Sequence, residues 1–250
     1  MRRTACSVVV CCFSFAGSVI AQQPDAYAHN NTFTVFAEYS NTSSHIVAGE
    51  ARQRKLGDLG FAYTRRVVGF WGSELGYHIE LRPVMFEGDP LQFGQLSYTV
   101  STVPPQTYSN TENVVPVGPC VPSSGTNTLS QPPGEPSITE TYNITCGRQW
   151  TFGEGFSPFG FKYSTRTRHK VQPYLLGTLG YMYTSRPVPI ADAESLNFLI
   201  DVGVGIEVFR SKTRSLALEC RVHHFSNRYT AEANPGTDNV MYGVAYSFGR

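Results

Sequence analysis

What the chain is short of narrows it first. Its formal net charge is only +1, too little to mark a nucleic-acid binder. Beyond the N-terminal segment it has no run of eighteen apolar residues, so no transmembrane helix is expected in the mature chain. No cluster of His, Cys and acidic residues accompanies His223 and His224, which fall on opposite strand faces; no metal or other cofactor is expected. There is no internal repeat. Cysteine is sparse, and three of the six cysteines lie within the first twelve residues.

Those first residues read as an export signal. Arg2 and Arg3 precede an apolar core from Val8 to Ile20, and Val19-Ile20-Ala21 offers small residues where a signal peptidase reads. The expectation is a signal peptide over 1–21 and a single domain over 22–250. An uncleaved anchor is the competing reading, disfavoured by the short core. No lipobox cysteine follows. In an oxidising compartment Cys120 and Cys146, which share one polar segment, are the candidate disulfide. Cys220 falls on the apolar face of a strand and reads as a small hydrophobe.

What is present is glycine, aromatics and alternation. Aromatics make up 13% of the chain beside 23 glycines, a composition that suits an all-β protein. Eight segments alternate with period two: 32–40, 58–66, 73–84, 157–165, 171–184, 197–208, 215–227 and 239–248. Between 197 and 208, for example, Phe198, Ile200, Val202, Val204 and Ile206 oppose Asn197, Asp201, Gly203, Gly205 and Glu207. One face is bulky and apolar; the other is small or charged. A soluble barrel would bury the bulky face, whereas a membrane barrel turns it toward lipid.

Connection lengths favour the second arrangement. The connections after the second, fourth and sixth segments are short, and those after the first, third, fifth and seventh are long. Short turns on one side and long loops on the other is the outer-membrane pattern. The predicted fold is therefore all-β, an eight-stranded antiparallel transmembrane β-barrel with long extracellular loops. A soluble lipocalin-like barrel or a sandwich is the competing architecture. Glu87–Thr151 holds nine of the sixteen prolines and reads as a long loop insertion without a core of its own.

The seventh segment carries the candidate chemistry. His224 and Ser226 lie on the outward, lipid-facing parity, at the end next to a long loop. Asp238 precedes the adjacent eighth strand, shares the parity of Val240 and Tyr242, and can return beside His224. A serine, a histidine to take its proton and an acid to orient the histidine form the constellation of acyl transfer. Asn227 is placed to help hold an oxyanion. Glu232 is the alternative acid, and His223, on the inner parity, reads as a hydrogen-bonding residue of the lumen. Polar groups on a lipid-facing wall are costly and point to function.

His224-Phe225-Ser226-Asn227, then Asn234-Pro235-Gly236, then Gly243-Val244-Ala245-Tyr246-Ser247-Phe248 resemble the lipid A 3-O-deacylase (PagL-type) family, whose related sequences are often labelled acyloxyacyl hydrolase. Gly155–Gly160, Gln172-Pro173-Tyr174-Leu175 and Asn197-Phe198-Leu199-Ile200 are similar too, so the likeness spans roughly 152–248. The resemblance implies an outer-membrane esterase without cofactor that removes the 3-hydroxyacyl chain at position 3 of lipid A in the outer leaflet. It carries the family's catalytic residues onto His224, Ser226 and Asp238, with Asn227 beside them. Its expected partners are lipopolysaccharide and outer-membrane lipid. Asp238 departs from the family's glutamate, Arg228 from its usual small residue, and the 87–151 insertion is atypical. The alternative class is a non-catalytic surface barrel that binds a partner through its long loops.

Overall fold

The computed structural model describes residues 27–249, all irregular segments and antiparallel strands. The expected signal segment 1–21 lies outside the described residues. The strands are β1 (Asn31–Ser40), β2 (Ser43–Ser44), β3 (Lys55–Phe70), β4 (Ser73–Val100), β5 (Gln106–Val114), β6 (Ser123–Leu129), β7 (Ile138–Thr165), β8 (Val171–Val188), β9 (Glu194–Phe209), β10 (Arg214–Ser226) and β11 (Thr237–Gly249). Eight of them close a ring in the order β1-β3-β4-β7-β8-β9-β10-β11, and β11 pairs back onto β1. Closure leaves the staves without edges, so every ladder group in the wall can be paired.

The wall is inverted relative to a soluble barrel. Leu218 is 68% exposed on the outside, while Arg221 on the same strand is 2% exposed on the inside. Around the ring the outward positions form an apolar belt that includes Phe33, Phe61, Leu81, Phe161, Leu179, Val202 and Val244. This is the surface of a transmembrane barrel, whose solvent outside is hydrocarbon. No helix among the described residues is long and apolar enough to cross a membrane; the crossing is made by strands.

An eight-stranded wall encloses only enough room for side chains, and here that room is filled. Near the long-loop end the lumen holds an apolar layer of Leu56, Met85, Met182, Leu199, Phe225 and Met241. Below it lies an ionic layer. Arg82 meets Glu80 at 2.6 Å, Asp201 at 3.0 Å and Asp58 at 3.3 Å. Arg221 meets Glu38 and Glu80, each at 2.7 Å, and also Glu219. Both guanidiniums lie over the Phe36 ring, which belongs to a second apolar layer with Tyr174, Leu176 and Ala217. Buried charges of this kind persist only when paired. The packed lumen is a plug, not a pore, so any chemistry belongs to the outer wall or the rim.

The turns at one end are short. Trp71 and Gly72, both at positive φ (47° and 76°), make the two-residue turn between β3 and β4, where the strand twist requires left-handed residues. Residues 166–170 and 210–213 make the other two. At the opposite end the expected loop over Glu87–Thr151 needs correction. The structure continues β4 and β7 as a paired ladder from the barrel out to Val100 and Ile138, and adds β5 on one flank and β6 on the other. The extension is held by backbone pairing, with Ser97 opposite Thr141 on one face and Leu96 opposite Tyr142 and Val100 opposite Ile138 on the other. Cys120 and Cys146 are joined as a disulfide that ties the segment before β6 to β7. The β8–β9 connection is likewise shorter than expected, because β8 runs on to Val188 and only 189–193 remain.

Buried Arg54 organises the long-loop rim. Its Nε donates to Asp89, and its two terminal nitrogens donate to the carbonyls of Arg52, Val117, Pro116 and Pro189. One guanidinium thus joins the β1–β3 connection to the extension and to the β8–β9 turn.

Candidate active site

β10 is held by its inward residues. Phe225 is fully buried in the upper apolar layer, and His223, also buried, bonds Asp201 through Nδ1 at 2.5 Å. With those two pointing into the lumen, the pleat turns His224 and Ser226 outward. His223 is therefore the lumenal residue its parity suggested.

His224 and Asp238 are direct cross-strand partners in the β10–β11 ladder. Their side chains meet outside the barrel wall, with Nδ1 of His224 2.6 Å from Oδ1 of Asp238. They are covered all the same: His224 is 8% exposed and Asp238 0%. The cover is the β1–β3 connection. β2 continues the β1–β11 ladder shifted by one residue, pairing Ser44 with Asp238 and Ser43 with Asn239. Beyond it the backbone N–H groups of Ile46, Val47, Ala48 and Gly49 donate to Oδ2 of Asp238 at 2.8, 2.6, 3.1 and 2.9 Å.

The two carboxylate oxygens thus have separate partners. Oδ2 is saturated by main-chain donors, and Oδ1 faces the imidazole. Donors on every side offset the burial of the charge. An acceptor at Oδ1 fixes the His224 tautomer, with the proton on Nδ1 and the lone pair on Nε2. A histidine so arranged can act as a base toward a hydroxyl.

Ser226 ends β10 opposite Phe198 of β9, half-buried, and its hydroxyl has no hydrogen-bond partner among the described residues. It lies two residues beyond His224 on the same face, about 7 Å along the strand. Glu232 stands exposed in the 227–236 connection and is not the acid that meets His224.

Asn227 departs from expectation. Its backbone N–H donates to Oδ1 of Asn234 at 2.9 Å, its side-chain amide donates to the Ala233 carbonyl at 2.7 Å, and its Oδ1 accepts from the Tyr229 N–H. It is buried, and these bonds make it the organiser of the 227–234 turn; its backbone N–H is not available to an oxyanion. Beside it, Arg228 and Tyr229 adopt positive φ (52° and 60°), and the exposed Arg228 guanidinium lies over the Phe198 ring at 5.6 Å. A cation therefore stands next to the register partner of Ser226. Among the described residues no group of three or more His, Cys, Asp or Glu is arranged to hold a metal.

Sequence reasoning missed the Ile46–Gly49 donors, since main-chain amides leave no residue signature. The one available signal was Gly49 in a connection otherwise rich in side chains.

Residues 131–247 match a family model described as Lipid A 3-O-deacylase (PagL). The match spans a little under half of the chain. The matched segment takes in β7 to β11 almost whole, and His224, Ser226 and Asp238 all lie within it. No curated protein matches the chain in sequence. Among solved structures, the chain is similar to the outer membrane enzyme PagL, at 12% identity over 87% of this chain and 99% of that one, with a TM-score of 0.48. It is also similar to Neisserial surface protein A, at 12% identity over 86% and 96% with a TM-score of 0.39. A third likeness is to OprG from Pseudomonas aeruginosa, at 10% identity over 90% and 99% with a TM-score of 0.36. With its inverted wall and its match to the PagL family model, the protein is an outer-membrane β-barrel.

Proposed function

We propose that the protein is an outer-membrane esterase that removes the ester-linked 3-hydroxyacyl chain at position 3 of lipid A. The observation that carries the reading is the His224–Asp238 pair built on the outside of the wall, with a free serine hydroxyl on the same face. A soluble enzyme would keep such a pair in a cleft. Here it lies on the outer face of the wall beneath the β1–β3 connection, at the long-loop end, which is the outer-leaflet side of an outer-membrane barrel.

The steps follow from that arrangement. Nε2 of His224 takes the Ser226 proton as Oγ attacks the ester carbonyl, and Asp238 stabilises the imidazolium. Collapse of the tetrahedral intermediate breaks the sugar–acyl ester bond, and the departing sugar oxygen takes the proton from His224. Water, deprotonated by the same histidine, then releases the hydroxy fatty acid and restores Ser226. These steps need no cofactor. The exposed Arg228 offers a charge to an anionic head group beside the serine.

A second reading rests on the exposed extension of β4, β5, β6 and β7, whose polar strands could bind a partner on a barrel without catalysis. One experiment separates the two. Lipid A is analysed by mass spectrometry from a Gram-negative host producing the native chain or Ser226→Ala. Loss of one hydroxyacyl group with the native chain alone supports the esterase. Unchanged lipid A with a correctly inserted native barrel overturns it.

A further inference from the structure

The Ile46–Gly49 turn has a feature that cover alone does not require. Four consecutive N–H groups converge on a single oxygen, Oδ2 of Asp238, and none is spent on Oδ1. Consecutive amides curled around one anion form a nest, which elsewhere in proteins holds phosphate or carboxylate groups. Here the anion is a side chain of the same protein. Rotation of the carboxyl group would break four bonds at once, so Oδ1 stays aimed at His224.

Two residues make this turn possible. A Cβ added at Gly49 would lie 2.4 Å from the Asp238 nitrogen, 2.8 Å from its Cγ and 2.8 Å from the Thr237 carbonyl carbon. Two of these are main-chain atoms of a stave and cannot give way, so only glycine lets the turn approach this closely. His45 closes the turn from the other side, its Nδ1 bonded to the Gly49 carbonyl at 2.8 Å. The turn is also stitched to the connection that follows Ser226. Glu50 N–H donates to the Pro235 carbonyl at 2.6 Å, and Ala51 N–H to the Gly236 carbonyl at 3.1 Å.

We propose that Gly49 and His45 are positioning residues for the ester-cleaving reaction, acting through the amide nest on Asp238 and through Asp238 on His224. The inference rests on the proposed role of Asp238 as orienting acid. It also accounts for an aspartate at this position: the nest reaches out to a short side chain that is already in contact with the imidazole. A longer acid would have to leave one partner to keep the other.

A double-mutant cycle tests it on the purified full-length barrel, with kcat and KM measured on lipid A in mixed micelles. Gly49→Ala is expected to lower kcat about tenfold or more and leave KM within about twofold, as for a group that orients a base. In an Asp238→Ala background the same change is expected to alter the residual rate by less than about twofold, because residues that act through one another are not additive. His45→Ala, which introduces no clash, is run through the same cycle and carries the test should Gly49→Ala fail to insert. Equal losses in both backgrounds, or full activity of both variants in the native background, overturn the inference. Full activity of Asp238→Ala itself overturns instead the assignment of Asp238.

Discussion

Exchanging Asp238 for asparagine probes the site where the structure makes the sharpest demand. The side chain keeps its size, and the Ile46–Gly49 nest still requires an acceptor, so the asparagine oxygen takes the place of Oδ2. The amide nitrogen is then left facing Nδ1 of His224, where Oδ1 stood at 2.6 Å. Two donors cannot share that contact. His224 must turn Nδ1 into the acceptor and carry its proton on Nε2, which removes the lone pair that would take the Ser226 proton. Loss of general-base action costs about 10²- to 10⁴-fold, and the same exchange in a serine-protease triad costs about 10⁴-fold. On the transition-state scale this is about 3 to 5 kcal/mol. The assay is kcat for lipid A deacylation by purified Asp238→Asn, with folding checked by heat-modifiable migration in electrophoresis. A folded variant within threefold of native activity would refute the tautomer argument.

Three further outcomes follow from other parts of the molecule. Leu218→Arg, on the apolar belt, should destabilise the inserted barrel by about 2–4 kcal/mol if it lies near the bilayer midplane, measured by chemical unfolding in vesicles; no loss would contradict a lipid-facing wall. Arg54→Ala removes the guanidinium that pairs with Asp89 and holds four carbonyls. It should cost about 3–5 kcal/mol and expose the 101–137 region to protease, read by limited proteolysis of intact barrels. Arg228→Ala, which removes the exposed cation over Phe198, should raise KM for phosphorylated lipid A about tenfold with little change in kcat; this corresponds to the loss of one charge-assisted contact of about 1.5–3 kcal/mol. Dephosphorylated lipid A should show no such difference.

The barrel was legible because its two environments differ so sharply. Hydrocarbon outside and a narrow lumen inside force the apolar positions of 198–206 onto one face and Gly203, Gly205 and Glu207 onto the other, and that alternation survives in the sequence. The extension was not legible for the same reason in reverse. Both faces of Gln106–Val114 and Ser123–Leu129 meet water, so neither strand needs an apolar period, and prolines nearby suggested a structureless loop. Of the site, the part carried by strand parity was readable: His224 and Asp238 share a face and could meet if β10 and β11 paired, and the register that joins them is in the structure. Asn227 was misjudged because its place beside Ser226 is visible in sequence, whereas its bonds to Ala233 and Asn234 depend on how the turn closes. The main-chain nest had no side-chain signature to read.

The central claim is that Ser226 is the nucleophile, and the most direct measurement is of the atom itself. The purified barrel is mixed with lipid A, quenched in acid at short times and digested, and the peptide carrying Ser226 is weighed by tandem mass spectrometry. The expected result is a transient hydroxyacyl mass increment on Ser226 that is lost in His224→Ala. Turnover of lipid A with no adduct on Ser226 at any quench time, or with the adduct on another residue, would contradict it.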